Sequence, residues 1–377
     1  MKNPFVYGVE VSGENFVDRE EELRELANEL LSGKSVLLLT PRRLGKTSLI
    51  REFFRRHRDE IISAHIKLYE TGSETALAEK ILEEISASAY SGFEKALRAA
   101  QKFFRELRPS FTLTKDGGIR VELHREITQP ELEEVLDFPE KVGRESGRRV
   151  VVAFDEFQEI CLFNGLRLEK LMKSKFEGHE HASYIFAGSK RHLLLEIFSK
   201  EDRPLFRFAK PMELGYISAG DFKPFIVEKF HRTGGSIAEE VVDRILEYTQ
   251  GHPYFTQQLC HELWNLSREV GDPSEVERAV DLIVAHHSVE YEQIWDMLRS
   301  SSQRNLLRGL SLEPGANIYS RGFIERYGLG TASHVKKAYE ALKEKGIIEE
   351  VAGGRGKISD IFFAEWVKRL SGGRTSV

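Results

Sequence analysis

The sequence predicts an α/β domain built on a parallel sheet, followed by two smaller and mainly helical modules. Val36–Leu39 and Val150–Phe154 are continuous apolar runs, which are typical of strands buried on both faces of a parallel sheet. A helical apolar pattern follows the first run at Leu49, and from Ser218 onward the pattern is helical over about eighty residues. The chain therefore divides into a sheet-containing core and a helical remainder.

The first apolar run leads into a motif that is typical of phosphate binding. Residues 36–50 read VLLLTPRRLGKTSLI, which places G-K-T between a strand and a helix, as a P-loop requires. Gly45 lets the backbone approach phosphate oxygens, Lys46 supplies a positive charge, and Thr47 offers a hydroxyl to Mg²⁺. The predicted nucleotide-binding residues of this segment are Thr40, Pro41, Arg42, Arg43, Leu44, Gly45, Lys46, Thr47 and Ser48.

Thr40 departs from the motif, because it occupies the position of the first glycine. A β-branched residue resists a positive φ, and Pro41 after it favours an extended backbone, so we expect the loop to leave the strand in an extended conformation. The alternative is a basic strand-to-helix turn without a ligand.

The second apolar run favours the nucleotide. It belongs to the segment VVVAFDEFQEI and ends in two acids, Asp155 and Glu156. A carboxylate at a strand end can hold Mg²⁺ or its water shell, and a second acid beside it can activate the attacking water. An apolar strand ending in Asp-Glu about a hundred residues after a P-loop predicts an ATPase site.

A third apolar segment, SYIFAGSK, ends in Ser189. In P-loop ATPases with an extra strand between the two motif strands, a polar residue at this position senses the γ-phosphate. Ser189 is the candidate for that role here. The alternative is an ordinary serine at a strand end, and the sequence leaves both readings open.

The predicted core covers residues 1–216. Its strands lie near residues 35–40, 62–70, 149–155, 183–188 and 210–214, and its helices include Glu74–Ala87 and Pro130–Glu145. An insertion at about 93–125 contains a predicted helix over 93–107. It also contains a β-hairpin over 110–124, because the sequence alternates on both sides of a glycine turn.

The remainder contains two predicted modules. Residues 217–296 form a helical lid, interrupted at Gly251-His252-Pro253, and residues 297–377 form a winged helix-turn-helix. This last module carries 14 Lys and Arg against 8 Asp and Glu, although the whole chain has a net charge of −5. Its candidate DNA contacts are Ser333, His334, Lys336, Lys337, Lys343, Arg355 and Lys357. The alternative is a module that packs within the chain and exposes an ordinary charged face.

Composition narrows the class of protein. The chain has 377 residues, of which 41% are hydrophobic and 31% charged, and no apolar run approaches the roughly 18 residues of a membrane span. The first residues lack an apolar signal segment, and Cys161 and Cys260 form no motif, so we expect a cytoplasmic protein with two buried cysteines. Few Asn, Gln, Cys and Met beside many Glu, Lys and Arg resemble the composition of thermophilic proteins.

These motifs together resemble the archaeal ATPase family of the STAND class, which is related to AAA+ proteins. FVDREEE at 16–22 resembles the N-terminal signature of STAND ATPases, with Asp18 in place of a glycine, and Gly251-His252-Pro253 resembles their G-x-P motif. TPRRLGKTSL and AFDEFQE are similar to the motifs of the archaeal family. The resemblance covers nearly the whole chain and implies a P-loop NTPase of the ASCE type, with a helical lid and a C-terminal winged helix.

The resemblance also implies roles for single residues. Lys46 and Thr47 would bind phosphate and Mg²⁺, Asp155 would coordinate Mg²⁺, and Glu156 would activate water. The family implies three further residues: Arg19, which would fix the N-terminal segment near the nucleotide; Pro253, which would pack near the adenine; and Arg207, which would reach phosphates in the same chain or across a subunit contact.

Three functions remain open at this stage. The first is an ATP-driven switch whose nucleotide, ATP or ADP with Mg²⁺, controls the lid, the winged helix and a protein partner that the sequence does not identify. The second is a DNA-binding ATPase that resembles origin-recognition proteins. The third is a nucleotide-stabilised scaffold with little turnover, which the substitution at Thr40 would favour.

Overall fold

The computed structural model describes residues 2–90, 94, 102–104, 107, 109–115, 117–163, 165–351 and 355–372. Contacts divide the chain into two compact units, Gly8–Ile217 and a second unit that combines the first seven positions with residues from Ser218 onward. The predicted lid and the predicted winged helix therefore belong to one unit. The prediction that the core begins at residue 1 is wrong for residues 2–7, which belong with the second unit.

The first unit contains a five-stranded parallel sheet, whose strands lie close to the predicted positions: β1 (Val36–Leu39), β2 (Ile61–Lys67), β5 (Arg149–Asp155), β6 (Ala182–Gly188) and β7 (Lys210–Glu213). Their order across the sheet is β2-β5-β6-β1-β7. The antiparallel pair β3 (Ser110–Leu113) and β4 (Ile119–Glu122) confirms the predicted hairpin. Most of the predicted helix over 93–107 lies outside the described residues.

Helices cover both faces of the sheet, which explains the continuous apolar runs. Val36 and Leu38 pack with Leu26 and Phe53 on one face, whereas Leu37 belongs to the cluster on the other face. Within the described residues of this unit, the helices are α1 (Glu20–Leu31), α2 (Lys46–Arg56), α3 (Glu74–Ala89), α4 (Gln129–Leu136), α5 (Phe138–Ser146), α6 (Gly165–Phe176) and α7 (Arg191–Ser199).

The single helix predicted over 130–145 is two helices. α4 ends at Leu136 and α5 begins at Phe138, with Asp137 between them. Pro139 lies in the first turn of α5, where its missing N–H leaves no bond unmade, but the same residue cannot continue α4. The apolar pattern crosses this break without interruption, so periodicity alone did not show it.

The second unit begins its helical part with α8 (Ala219–Arg232), α9 (Glu239–Thr249), α10 (Pro253–Leu266), α11 (Ser274–His286) and α12 (Ser288–Asp296). A short parallel bridge joins β8 (Ser236–Ile237) to β9 (Glu269–Val270). The winged helix follows as α13 (Ser301–Leu312), α14 (Arg321–Arg326), α15 (Ala332–Glu344), β10 (Ile348–Val351) and β11 (Arg355–Ile358). A final helix, α16 (Ile361–Gly372), was not predicted and packs on α11, α12 and α13.

Two further predictions concern surface properties. Cys260 is buried as predicted, but Cys161 is exposed, so the prediction was wrong for that residue. None of the helices in the described ranges is long and apolar enough to cross a membrane.

Candidate nucleotide-binding and catalytic site

Three neighbouring strands end at one edge of the sheet, and each is followed by residues of the predicted site. The P-loop follows β1, Ser189 follows β6, and Asp155 and Glu156 stand at the end of β5. Carboxyl ends of parallel strands meet at the same edge, which is where open α/β sheets bind ligands. The sheet order β5-β6-β1 therefore brings the three predicted segments together.

The P-loop turns at Arg43 and Gly45, whose φ angles are +65° and +88°, and leaves Thr40 outside the left-handed region as predicted. Gly45 is the N-cap of α2, so the free backbone N–H groups of this helix start at the loop. The side chains of Arg42 and Arg43 are exposed, whereas that of Leu44 is buried. The loop therefore exposes its backbone and two arginine side chains, and the buried side chain of Leu44 anchors it.

Thr40 and Ser48, at the two ends of the P-loop segment, differ in their burial and contacts from residues that line a phosphate site. Thr40 is fully buried, and its Oγ1 has no hydrogen-bond partner among the described residues. Ser48, predicted to bind nucleotide, is buried in α2, and its Oγ accepts a hydrogen bond of 3.1 Å from the backbone N–H of Val11. Ser48 therefore fastens the segment before α1 to the helix.

A buried network connects the P-loop to the acids of β5. Lys46 is only 8% exposed, and its Nζ donates to Oδ1 of Asp155 and, at 2.8 Å, to Oε1 of Glu156. Thr47 Oγ1 donates to Oδ2 of Asp155 at 2.8 Å. Burial by itself raises the pKa of Asp155, but the contacts with His65, Lys46 and Thr47 outweigh it and hold that pKa well below its ordinary value.

Glu156 stands beside this network in a constrained backbone conformation, with φ at +53°. Its Oε2 accepts hydrogen bonds from Gln158 Nε2 at 2.6 Å, from Ser189 Oγ at 2.8 Å and from the Ser189 backbone N–H at 3.1 Å. Burial raises the pKa of Glu156, yet Lys46, Gln158 and Ser189 together lower it below the ordinary value. Glu156 is thus ionised at neutral pH and held from two sides.

These residues fit a magnesium-bound nucleotide. A Cβ built on Gly45 would meet no atom within 4 Å, so the loop leaves open space where phosphate oxygens would approach. The hydroxyl of Thr47 and the carboxylate of Asp155 are oxygen ligands of the kind that Mg²⁺ prefers, and they lie 2.8 Å apart. The ammonium group of Lys46 supplies the positive charge for the phosphate. In this structure that group is paired with the carboxylates of Asp155 and Glu156.

Arg19 lies close to the P-loop but binds backbone. It is 5% exposed, and its guanidinium donates to the carbonyl of Gly215 at 2.7 Å and to that of Leu44 at 3.5 Å. Asp18, which stands where the resembling signature has a glycine, and Arg19 after it both have positive φ angles, +51° and +72°. Arg19 therefore ties the start of α1 to the loop before α2.

Arg207 lies at the opposite edge of the sheet. It precedes β7, its backbone N–H donates to the carbonyl of Phe198, and it lines a cavity of about 720 Å³ together with Gly33 and Lys34, which precede β1. The prediction that Arg207 reaches phosphates within the same chain is therefore wrong, because the P-loop follows the other end of β1. A contact across subunits stays a prediction.

The remaining predicted residues lie in the second unit. Pro253 is the first residue of α10, where proline is well tolerated.

The predicted DNA-binding residues lie on the winged helix, where Ser333, His334, Lys336 and Lys337 are exposed on α15. Lys343 and Lys357 form ion pairs with glutamates of β10, at 2.5 and 2.9 Å, which neutralises part of the predicted basic surface; the glutamates are Glu350 and Glu349. Arg355 is exposed at the start of β11.

Two residues of the site were missed in the sequence. His65 lies on β2 in register with Ala153, and its Nε2 is 3.4 Å from Oδ2 of Asp155. Gln158 follows Glu156 by two residues and binds its carboxylate. The pairing of β2 with β5 could have indicated His65, whereas the contact of Gln158 depends on the short 3-10 helix that begins at Phe157.

A doubly covered parallel sheet, a P-loop after β1 and an acid pair at the end of β5 define a P-loop ATPase. A family model described as an ATPase domain predominantly from Archaea matches residues 16–259, more than half of the chain. The chain belongs to this archaeal ATPase family, and it is an enzyme that hydrolyses ATP to ADP and phosphate. A second model, described as a probable winged helix domain, matches residues 289–369.

Solved structures show the same fold. The Walker-type ATPase of Pyrococcus abyssi is similar with a TM-score of 0.70 and 21% identity, over 97% of this chain and 99% of that chain. The ORC2 protein of Aeropyrum pernix in ADPNP–ADP complexes is similar with a TM-score of 0.53 and 12% identity, over 95% and 97%. At these identities the likeness concerns the fold alone. No curated protein shows a significant sequence match.

Proposed function

We propose that this ATPase is a nucleotide-dependent switch, in which ATP and ADP favour different arrangements of the site and thereby of the second unit and a protein partner. The observation that carries the proposal is the contact of Lys46 with both Asp155 and Glu156. Phosphate oxygens would compete with these carboxylates for the same ammonium group. A ligand shifts an equilibrium only through different contacts in two states, and Lys46 offers such a pair of states.

The same residues support the hydrolytic step. When bound, Mg²⁺ would be held by Thr47 and Asp155 and would supply charge that offsets the phosphate oxygens. Glu156 accepts a proton from the attacking water while the water oxygen bonds to the γ-phosphorus. The bond from that phosphorus to the bridging oxygen breaks, and the bridging oxygen leaves with ADP. Ser189 donates to Glu156 from its hydroxyl and from its backbone N–H, and so helps to hold this carboxylate in place.

Limited proteolysis tests the switch. We expect chymotrypsin to cleave after Tyr216, at the connection between the two units, at different rates with ATP, with ADP and without nucleotide. Trypsin is unsuitable because Lys210 and Lys223, the nearest basic residues on either side, are each followed by proline. A Glu156→Gln variant keeps ATP intact during the digestion, and a Lys46→Ala variant serves as the control that should not respond to either nucleotide. Identical cleavage patterns in all three conditions would contradict the proposal.

The winged helix supports a second candidate, a DNA-binding ATPase. α15 is the third helix of this module and buries Val335 and Leu342, while it exposes Lys336 and Lys337 on the outer face. Phosphate contacts by such lysines release counterions, so binding of duplex DNA should weaken as salt increases.

Salt titrations of duplex binding test this candidate. We expect Lys336→Ala and Lys337→Ala each to reduce the slope of log affinity against log salt by about 1. Lys343→Ala is the matched control, because that lysine is already paired with Glu350 and should change the slope less. If the unsubstituted protein binds no duplex at low salt, the DNA-binding function is excluded. The proposed switch that acts on a protein partner then remains.

A further inference from the structure

Gln158 is a buried residue whose packing does not explain its presence. It is 3% exposed, and its Nε2 donates to Oε2 of Glu156 at 2.6 Å. Its Oε1 is buried and has no hydrogen-bond partner among the described residues. An unpaired buried amide oxygen destabilises a fold, so an apolar side chain of similar size would suit the packing better. Local departures of this kind are expected where a residue serves function.

Gly188 makes room for this glutamine. It is the last residue of β6, and a Cβ placed on it would overlap Oε1 of Gln158 and lie 3.1 Å from Cδ1 of Leu194. Its φ lies outside the left-handed region, so backbone conformation does not require glycine here. The space that Gly188 leaves is filled by Gln158.

The two carboxylate oxygens of Glu156 accept hydrogen bonds from different donors. Oε2 accepts from Gln158 and twice from Ser189, whereas Oε1 accepts from Lys46 at 2.8 Å. Lys46 is the residue that phosphate would attract away, and Oε1 then loses its donor. Gln158 and Ser189 do not depend on that exchange.

We propose that Gln158 is a positioning residue that anchors Oε2 of Glu156 and so leaves Oε1 as the oxygen that accepts the proton from water. The inference rests on the proposed hydrolytic step, in which the water oxygen bonds to the γ-phosphorus and ADP leaves. Without the bond from Gln158, only the two bonds from Ser189 hold Oε2, so the carboxylate turns more freely about its side-chain torsions and Oε1 is less often placed for the transfer. A misplacement of about 1 Å can lower a rate about 100-fold.

A Gln158→Leu variant tests the role of this amide. We expect kcat to fall about 10- to 100-fold, with the Kd for ATP within about threefold and the melting temperature equal or higher. A purely structural role would lower the melting temperature and leave kcat per folded molecule unchanged. Gln303→Leu is the control. Gln303 also has a buried Oε1 that is unpaired within the part of the chain that the structure describes, but it lies in α13, and the kcat of this variant should not change.

Gly188→Ala reaches the same contact from the other side. The added methyl should displace Gln158 and lower kcat although Gln158 is still present, and combining it with Gln158→Leu should add little further loss. An unchanged kcat in Gln158→Leu, with Glu156→Gln inactive, would overturn this inference alone. An unchanged kcat in Glu156→Gln itself would overturn the proposed hydrolytic step.

Discussion

Glu156→Gln is expected to lower the turnover number for ATP hydrolysis about 10³-fold, while the Kd for ATP stays within about threefold. The amide oxygen can still accept the bonds of Gln158 and Ser189. The amide nitrogen cannot accept the bond from Lys46, which keeps its contact with Asp155. What the substitution removes is the group that takes the proton from water. Turnover and equilibrium binding should be measured on the same preparation, with ATP and Mg²⁺ in excess.

Glu213→Gln is the matched control for this variant. Glu213 also ends a strand of the sheet, β7, but its side chain is exposed and paired with Arg191 outside the network of Glu156. Its turnover should equal that of the unsubstituted protein. A low turnover that Glu156→Gln leaves unchanged would instead favour the third function, a scaffold that binds nucleotide with little hydrolysis.

The predictable part of the site depends on strand ends. Lys46, Asp155 and Ser189 each follow or end a buried apolar run, and parallel strands bring such positions to one edge whatever the sheet order. The chemistry of these side chains at strand ends indicated their roles, and the family resemblance implied the same roles for Lys46 and Asp155. The archaeal ATPase family is confirmed over residues 16–259.

The unpredicted parts depend on contacts between distant segments. Arg207 was assigned to phosphates from its place in the sequence, but the register Val36↔Lys210 places it at the opposite edge. The grouping of residues 2–7 with the second unit rests on bonds such as that of Lys229 Nζ to the carbonyl of Pro4, at 3.0 Å, which no local pattern predicts. Gln158 is similar, because the space that its side-chain amide fills is left by a glycine thirty residues away.

Lys46→Ala is expected to weaken ATP binding and to lower the free energy of unfolding. Loss of the charge-assisted contacts to phosphate is expected to weaken ATP binding about 100-fold and to lower turnover by about 10²- to 10³-fold. In the nucleotide-free protein the same change leaves Asp155 and Glu156 close together without the ammonium group between them. We expect the free energy of unfolding of the first unit to decrease by about 3 kcal/mol at neutral pH.

The pH dependence of this loss has a definite sign. Burial raises the pKa of Asp155 and of Glu156, and their contacts, with Lys46 in both cases, outweigh it, so both carboxyl groups have lowered pKa values in the folded protein. Their contribution to stability is therefore present above the ordinary pKa values of about 4 and is lost as the pH falls further. The difference between the unsubstituted protein and Lys46→Ala should be largest near pH 7 and should shrink below about pH 4.

Denaturant unfolding of both proteins at several pH values measures this difference. Because the two units need not unfold together, the transition to follow is the one whose denaturant midpoint ATP raises in the unsubstituted protein. A double variant, Lys46→Ala with Glu156→Gln, should recover part of the lost stability because one of the two facing charges is gone. Equal losses at pH 7 and below pH 4 would mean that Lys46 contributes packing and not charge. Exchange of its ammonium group between carboxylate and phosphate could then no longer drive the switch.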